Sequence, residues 1–228
     1  MMKNKSIVLL SGGLDSVVSL AMVKEFCSDI LALTFNYGQK SFLSEKTAAE
    51  NIAKYYNVKH KIVDLPWLAE ISNSALNTEE SIPKLSLEDL SKDEIISNAS
   101  TSVIVPNRNA LFINIAACFA ETQNYDSIII GANAEEAKNF IDNSAEFINA
   151  VNFSLENSLN SVVKVIAPLI NISKNEIVKL GIELNIPFDL IHSCYTGDKK
   201  HCGECESCMR LKQALKQNEA YDLMEKIF

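Results

Sequence analysis

Apolar and polar residues alternate along this chain with two different periods. Short, nearly continuous apolar runs of strand length lie at residues 7–10, 30–35 and 60–65. Between these runs, residues 17–26 and 44–56 carry apolar side chains at helical spacing, and Ser44 is placed as the N-cap of the second helix. This order of strand, helix and strand predicts a parallel sheet with right-handed crossovers, whose ligands bind where the strands end.

The same order returns later in the chain, after a stretch of weaker periodicity. Helices are predicted at residues 111–121 and 173–184, and strands at residues 127–130 and 162–166. Ser173 and Glu176 have the spacing of a capping box, which marks the start of the second helix. Residues 66–102 are instead rich in serine, asparagine and acidic residues, so we expect an extended loop with room for a short helix at 85–90. That segment either closes over a site or is a tolerated surface insertion.

The composition is that of a globular chain. It has 228 residues, of which 47% are hydrophobic and 22% charged, enough to bury a full core. No apolar run approaches the ~20 residues of a membrane helix, and residues 1–5 lead into an apolar stretch too short for a signal peptide. We therefore expect a cytoplasmic protein without membrane contact. A net charge of −8 argues against direct binding of nucleic acid.

The most informative motif is Ser-Gly-Gly-Leu-Asp-Ser at residues 11–16, directly after the first strand. A strand that breaks into two glycines and opens a helix exposes unpaired backbone N–H groups at the positive end of the helix dipole, where an anion binds. The glycine spacing fits neither a Walker loop nor a dinucleotide fingerprint. It is similar to the loop of the PP-loop ATP pyrophosphatases, which cleave ATP between its α and β phosphates. The alternative is a simple glycine turn that caps a helix, with Ser11 or Asp15 bonding locally.

Four cysteines lie close together near the end of the sequence: Cys194, Cys202, Cys205 and Cys208. Two overlapping Cys-x-x-Cys turns can place three thiolates on one ion, and the fourth cysteine completes a tetrahedral zinc shell with no open position. An iron–sulfur cluster is the rival interpretation, whereas disulfides are disfavoured in a reducing compartment. His192 and His201 flank the cluster but are left out of the predicted shell. Cys27 and Cys118, on apolar helical faces, are predicted to be small core residues.

Further motifs lie between the loop at residues 11–16 and the cysteine cluster. They are found at residues 35–39, 105–109, 131–133, 167–169, 173–176 and 193–195. Taken together, the loop, these motifs and the four cysteines resemble the 7-cyano-7-deazaguanine synthase family of queuosine biosynthesis, over nearly the whole chain. Asn36 stands where that family usually has aspartate.

This resemblance implies the fold and its division. We expect an α/β fold in which a PP-loop parallel sheet, similar to the adenine nucleotide α-hydrolases, is flanked by helices over residues 1–190. A small zinc-binding helical segment follows over residues 191–228 and packs on it. The resemblance also implies a homodimer that acts on small molecules.

The resemblance further assigns site residues. The nucleotide-binding residues are expected to be Leu10, Ser11, Gly12, Gly13, Leu14, Asp15, Ser16, Tyr37, Gln39 and Gly131. The catalytic residues are expected to be Ser11, Asp15, Arg108 and Lys174. The substrate-binding residues are expected to be Arg108, Asn133 and Asp142. Asp15 would orient the loop or help hold Mg²⁺, and Arg108 and Lys174 would neutralise phosphate charge. Arg108 could instead form an ordinary surface ion pair, and Lys174 could be a solvated residue of a first helical turn.

The activity that the resemblance implies is a carbon–nitrogen ligation driven by ATP. The family joins 7-carboxy-7-deazaguanine to AMP with release of pyrophosphate, and ammonia then displaces AMP to give an amide. A second ATP activates the amide oxygen, whose elimination leaves the nitrile 7-cyano-7-deazaguanine. The cofactors implied are ATP, Mg²⁺ and Zn²⁺. Positioning and charge stabilisation are the protein's contribution to such transfers.

One stretch departs from the family's pattern. Residues 137–144 read Ala-Lys-Asn-Phe-Ile-Asp-Asn-Ser where the family usually has Tyr-Ser-Gly-Tyr-Pro-Asp-Cys-Arg, so only Asp142 is kept cleanly. An altered acceptor is therefore one alternative: an amine of a partner protein could take the acyl group, as in relatives associated with anti-phage defence. A nonenzymatic nucleotide-binding regulator with the same fold is another. A tRNA-thiolating enzyme is less favoured, given the acidic charge and the lack of a free pair of catalytic cysteines.

Overall fold

The computed structural model describes residues 4–228. Residues 1–3, part of the stretch considered above with regard to a signal peptide, therefore lie outside the described residues. Its strands are β1 (Asn4–Leu9), β2 (Cys27–Asn36), β3 (Lys59–Asp64), β4 (Ser127–Ile129) and β5 (Lys164–Ile166). Its α-helices are α1 (Leu14–Lys24), α2 (Phe42–Tyr55), α3 (Pro66–Ile71), α4 (Asp93–Ser102), α5 (Arg108–Gln123), α6 (Ala145–Ser158), α7 (Lys174–Glu183), α8 (Glu206–Gln217) and α9 (Tyr221–Ile227). In this range no helix has the length and apolarity needed to cross a membrane.

Over the described residues, the sheet has five strands in the order β3-β2-β1-β4-β5, and every pairing is parallel. The central strand is β1, in which Val8 pairs with Ala32 on one side and Ile129 on the other. The chain therefore winds outward from β1 in both directions. In such sheets ligands bind at the carboxyl edge where the winding direction reverses, and residues 11–16 lie there. The predicted α/β parallel sheet is confirmed.

Two apolar cores cover the two faces of the sheet. One contains Ile7 and Leu33 of the sheet together with Ile113 of α5 and Val151 of α6. The other contains Val8, Val17 of α1, Ile52 of α2 and Ile177 of α7. Leu211, Ala214 and Leu215 of α8 belong to this second core. The C-terminal segment is thus held by the same apolar burial as the sheet, and the division at residues 190 and 191 stays a prediction.

The structure confirms one local prediction and contradicts two others. The capping box is confirmed, since Ser173 Oγ accepts from Glu176 N and the Glu176 carboxylate accepts from Ser173 N. Ser44 is not an N-cap: α2 begins at Phe42, and Ser44 Oγ donates to the carbonyl of Gly197 at 2.8 Å. Cys118 is exposed, so its placement in the core was wrong.

The expectation of an extended loop at residues 66–102 was wrong over much of its length. The segment contains α3, a 3-10 turn at Glu88–Ser91 and α4. Ile96 and Ala99 of α4 are buried against Met209 of α8, and Leu85 joins the same small cluster. The segment therefore packs on the helix that follows the cysteine cluster.

Candidate active site

The loop at residues 11–16, called here the PP-loop, has a backbone that requires glycine. Gly12 has φ +84°, and a Cβ there would lie 2.7 Å from the Cβ of Ala48 in α2. Gly13 is the N-cap of α1, so the first amides of that helix point out of its end. Ser11 Oγ accepts from Gly13 N at 3.2 Å, and Ser16 Oγ donates to the Gly13 carbonyl at 2.9 Å. The loop is thus held open with its helix N-terminus free for an anion.

Residues far away in sequence also hold the PP-loop. The amide of Leu14 donates to Ser193 Oγ at 3.1 Å, and the amide of His192 donates to the Gly12 carbonyl at 2.8 Å. On the other side, a Cβ at Gly131 would lie 2.9 Å from the amide nitrogen of Ser16, so only glycine lets the end of β4 approach α1. The segment that leads into the cysteine cluster is therefore in direct contact with the loop.

A cavity of about 230 Å³ opens beside the PP-loop at the carboxyl edge of the sheet. The predicted site residues in its wall are Leu10, Ser11, Gly13, Leu14, Asp15, Ser16, Tyr37, Arg108 and Gly131. Its apolar part includes Phe35 and Phe112, whose rings stack with centroids 4.0 Å apart. A single concave site therefore joins the anion-binding loop to an aromatic surface, a combination typical of nucleotide sites.

The other predicted site residues lie behind this wall. Gln39 is buried, and its side-chain amide donates to Phe35 O and Glu45 Oε2 and accepts from Tyr37 N, which fixes the turn after β2. Asn133 Oδ1 accepts from the amides of Glu135 and Glu136, both at 3.0 Å. Three further predicted residues are also not part of the wall: Gly12, Asp142 and Lys174. Asp142 is half-buried, and its backbone carbonyl accepts from Asn109 Nδ2 at 3.3 Å.

Lys174 reaches the PP-loop from the start of α7. It is 7% exposed, and its Nζ donates to Asp15 Oδ2 at 2.6 Å and to Glu136 Oε1 at 3.2 Å. The alternative of a solvated lysine is therefore wrong. Burial favours the neutral amine, but the two carboxylates outweigh it and raise the pKa of Lys174, so this residue is charged.

At Asp15 the effect of burial on the pKa outweighs the effect of the neighbouring charge. Burial raises the pKa of its carboxyl from 3.8 to about 6, although the charge of Lys174 acts against the rise. Its Oδ1 atom is buried and has no hydrogen-bond partner within residues 4–228. A carboxylate oxygen of this kind, in the wall of a cavity, is suited to a cation.

The charges continue from Lys174 toward the cysteine cluster. The backbone amide of Lys174 donates to Glu135 Oε1 at 2.8 Å, and Arg210 of α8 donates to Glu135 Oε2 at 3.0 Å. Arg210 Nε also donates to Glu206 Oε1 at 2.9 Å. The other carboxylate oxygen of Glu206 accepts from Ser100 Oγ of α4 at 3.2 Å. We call Lys174, Glu135, Arg210 and Glu206 the ion-pair chain; its ion pairs are those of Arg210 with the two glutamates, and Lys174 joins it through its backbone amide. It connects the PP-loop to the helix that carries Cys208.

Arg108 opens α5 and faces the cavity. Its guanidinium donates to Tyr37 Oη at 3.2 Å and lies 5.7 Å from the centroid of that ring. The structure shows it in no ion pair with a carboxylate of the described residues, so the alternative of a surface ion pair is wrong. Its remaining N–H groups are free to bind an anionic ligand.

The four clustered cysteines converge as predicted. Their sulfur atoms all lie within 4.8 Å of one another, and Cys194, Cys205 and Cys208 are buried. Backbone amides surround them: Cys202 N donates to Cys194 Sγ at 3.3 Å, and Cys205 N donates to Cys202 Sγ at 3.3 Å. Such N–H···S bonds stabilise thiolates. The donor set therefore fits a closed four-sulfur metal site, and zinc is compatible with it.

Sequence reasoning missed several residues of the cavity wall. The most consequential are Glu136, Asn143, Ser193 and Tyr195. Glu136 had a usable signal, because it follows Asn133 just beyond the carboxyl end of β4. Ser193 and Tyr195 were noticed as part of a motif but were given no role. His192 also lines the cavity. From the sequence it was considered only as a possible metal ligand.

Comparisons with known proteins agree with this geometry. The family model described as queuosine biosynthesis protein QueC matches residues 5–219. A protein of Methanobrevibacter smithii named 7-cyano-7-deazaguanine synthase is 46% identical over 225 residues, which cover 99% of each chain. A protein of the same name from Pelotomaculum thermopropionicum is 48% identical over 213 residues, covering 93% of this chain and 96% of the relative.

Among solved structures, the NMN synthetase of Francisella tularensis is similar with a TM-score of 0.52 and 16% identity. The match covers 99% of this chain and 82% of that one. At this identity the likeness concerns the fold alone. The family match over most of the chain and two close relatives of full length lead to one conclusion: the chain belongs to the family of the queuosine biosynthesis protein QueC.

Proposed function

We propose that this protein adenylates 7-carboxy-7-deazaguanine with ATP and passes the acyl group to ammonia, giving first the amide and then 7-cyano-7-deazaguanine. One observation carries the proposal: the free end of α1 at the PP-loop and the guanidinium of Arg108 face the same cavity. An adenylating enzyme needs this arrangement, because pyrophosphate leaves while negative charge develops on the phosphate that stays with the substrate. The names of the curated relatives support the choice of substrate.

In this proposal the PP-loop binds the leaving pyrophosphate. The hydroxyl of Ser11 and the backbone amides of Asp15 and Ser16 in the first turn of α1 are its donors, and the helix dipole adds to the attraction. Arg108 contacts the reacting groups from the opposite wall. Lys174 acts from behind the wall by offsetting the charge of Asp15.

Two metal ions belong to the proposal. Mg²⁺ would accompany ATP, with the unpartnered Oδ1 of Asp15 as a ligand from this chain; its chemistry is to neutralise phosphate charge. Zn²⁺ would be held by the four clustered cysteines, whose closed shell leaves no position for a reactant. That ion would stabilise residues 191–228 and take no part in the reaction.

The remaining site assignments also stay part of the proposal. Leu10, Tyr37 and Gly131 line the cavity as nucleotide contacts, while Gln39 and Asn133 act by shaping the adjoining turns. Asp142 as a substrate contact is the assignment with least support, because its position is outside the wall.

We also retain the proposal of a homodimer that works in the cytoplasm on small molecules, without nucleic acid. Of the apolar C-terminal residues, Ile227 is 7% exposed, and Leu223, Met224 and Phe228 are partly buried against the core that contains Val8 and Ile177.

The test is incubation with ATP, Mg²⁺, the deazaguanine acid and ammonium, followed by mass spectrometry of the products. We expect the amide and the nitrile, with AMP and pyrophosphate, and a loss of at least about 100-fold in rate for Ser11→Ala. Ser91→Ala, in an exposed 3-10 turn, is the matched control. AMP without either product would contradict ammonia as the acceptor. A stable mass increment on a partner protein would instead favour the protein-amine alternative, and absence of pyrophosphate would favour a regulator.

A further inference from the structure

A second, smaller cavity of about 60 Å³ adjoins the main one. The walls of the two cavities share Leu76, Arg108, Glu136, Asn143 and Tyr195, whereas Val103 and Phe140 line only the smaller one. A cavity needs about 10–15 Å³ to hold one water-sized molecule. The smaller cavity therefore has room for a small molecule such as ammonia, together with ordered water.

Asn143 shows that this cavity is built for a polar occupant. It ends the 3-10 turn Ile141–Asn143 and is 7% exposed. Its backbone amide donates to Phe140 O at 3.0 Å, but its side-chain amide has no hydrogen-bond partner among the described residues. The side chain lines both cavities, so its amide can bond a small polar ligand or an ordered water there.

Glu136 supplies a second acceptor in the same wall. Burial acts to raise the pKa of its carboxyl, but the charge of Lys174 outweighs it, so the pKa is lowered and Glu136 is ionised. Its Oε1 is held by Lys174 at 3.2 Å. Arg108, which is positively charged, faces the cavity from another side. The cavity thus offers a carboxylate and an amide oxygen as acceptors, beside a positive charge.

We propose that this small cavity binds the nitrogen nucleophile, with Glu136 and the side-chain oxygen of Asn143 as acceptors for its N–H groups. The inference rests on the proposed function and names the site of its second substrate. Ammonia is the size of water and carries N–H donors, which this wall accepts. Arg108 disfavours a second positive charge nearby, and this promotes loss of a proton from ammonium before attack.

Amide formation exchanges one bond at the acyl carbon for another. The nitrogen lone pair forms a bond to the acyl carbon, and the bond from that carbon to the AMP oxygen breaks, leaving its electron pair on AMP. Ammonium loses two protons in total, both to solvent, while Glu136 accepts hydrogen bonds from the nitrogen and stays ionised because its pKa is lowered. The role of Asn143 in this step is to hold the nitrogen beside the shared wall of the two cavities.

The experiment separates the two half-reactions. Exchange of labelled pyrophosphate into ATP, dependent on the deazaguanine acid, reports adenylation without ammonia, and amide formation at varied ammonium reports the second step. For Asn143→Ala we expect a KM for ammonium raised about tenfold with exchange changed less than about twofold. Asn143→Asp, which keeps an oxygen, should recover part of the loss. Asn114→Ala, on the exposed face of α5, is the matched control, and thermal unfolding checks that each variant is folded.

The inference is overturned if Asn143→Ala weakens exchange and amide formation equally. Absence of exchange in the unaltered protein would overturn the proposed function itself, and this site with it.

Discussion

The PP-loop and the cysteine cluster are both short motifs near a helix N-terminus, but different forces hold them. In the PP-loop, the backbone geometry of Gly12 and Gly13 and contacts from distant residues fix the conformation without a ligand. In the cysteine cluster, four sulfur atoms lie within 4.8 Å of one another and none forms a disulfide. Four converging thiols need a metal to offset the repulsion of their thiolates. The loop is built to receive a ligand, and the cluster is built to keep one.

The two regions are nevertheless mechanically connected. Ser193, which accepts from Leu14 of the PP-loop, immediately precedes Cys194. Arg210, which bonds Glu135 in the ion-pair chain, follows Cys208 by two residues. A substitution that disrupts the cysteine cluster should therefore also lower the activity that depends on the PP-loop. A substitution at the PP-loop should leave the metal bound in the cluster.

The largest effect is expected for Cys208→Ser, which removes a buried sulfur from the cluster. Metal binding supplies about 10–16 kcal/mol in small structural zinc sites, so we expect loss of bound zinc, a lower unfolding temperature and loss of adenylation. Zinc content by atomic absorption, thermal unfolding and pyrophosphate exchange are the measurements. Cys118→Ser, at an exposed position, is the control. A variant that keeps full exchange activity after losing its metal would show that the cluster does not support the PP-loop.

Lys174→Met comes second, because it leaves Asp15 and Glu136 without their shared cation. Removing one partner of a buried ion pair costs about 3–5 kcal/mol, and we expect a loss of at least about 1,000-fold in adenylation rate with zinc content unchanged. Lys179→Met, on the same helix α7, is the matched control. If zinc were lost together with activity, damage would travel from the loop to the cluster, and the direction of coupling argued above would be wrong.

Asp15→Asn should separate activity from stability through pH. Because the pKa of Asp15 is raised from 3.8 to about 6, the folded protein holds a proton here that the unfolded chain has released. The free energy of unfolding therefore falls as pH rises from about 4 to about 6, by at most about 3 kcal/mol, and stays lower above that window. The substitution should flatten this fall while reducing adenylation about 100-fold. Chemical unfolding at pH 4.5 and pH 8 measures it, and an equal pH dependence in both proteins would contradict the assignment.

Much of both regions could be read from sequence because each is contiguous. Residues 11–16 carry their own strand, glycines and helix start, and the cysteine spacing carries its own ligand count. The contacts that join them could not be read, since Ser193 reaches Leu14, and Arg210 reaches Glu135, only after the sheet and α8 are assembled. The same reason hid α4, whose narrow apolar face is buried by Met209 of a distant helix. The helix α6 is different: Ile148, Val151 and Leu155 are buried at helical spacing, a signal that was present and was missed.

The smallest effect is expected for Arg210→Lys. This substitution gives the most direct test of the connection between the PP-loop and the cysteine cluster through the ion-pair chain. Arg210 contacts neither the cavity nor the cysteines; it pairs with Glu135 and Glu206 in the ion-pair chain. Lysine keeps the charge but cannot hold both carboxylates with one planar group. Glu135 then holds the amide of Lys174 less firmly, so Lys174 shifts relative to Asp15.

We expect adenylation to fall about fivefold, and the pH of half-maximal activity to move from its position near the pKa of Asp15, with zinc content unchanged. Lys216→Arg, also on α8, controls for altered helix charge. A purely structural role for Arg210 would lower the unfolding temperature and leave the pH profile in place, whereas a positioning role moves the profile, because the protonation of Asp15 depends on where Lys174 lies.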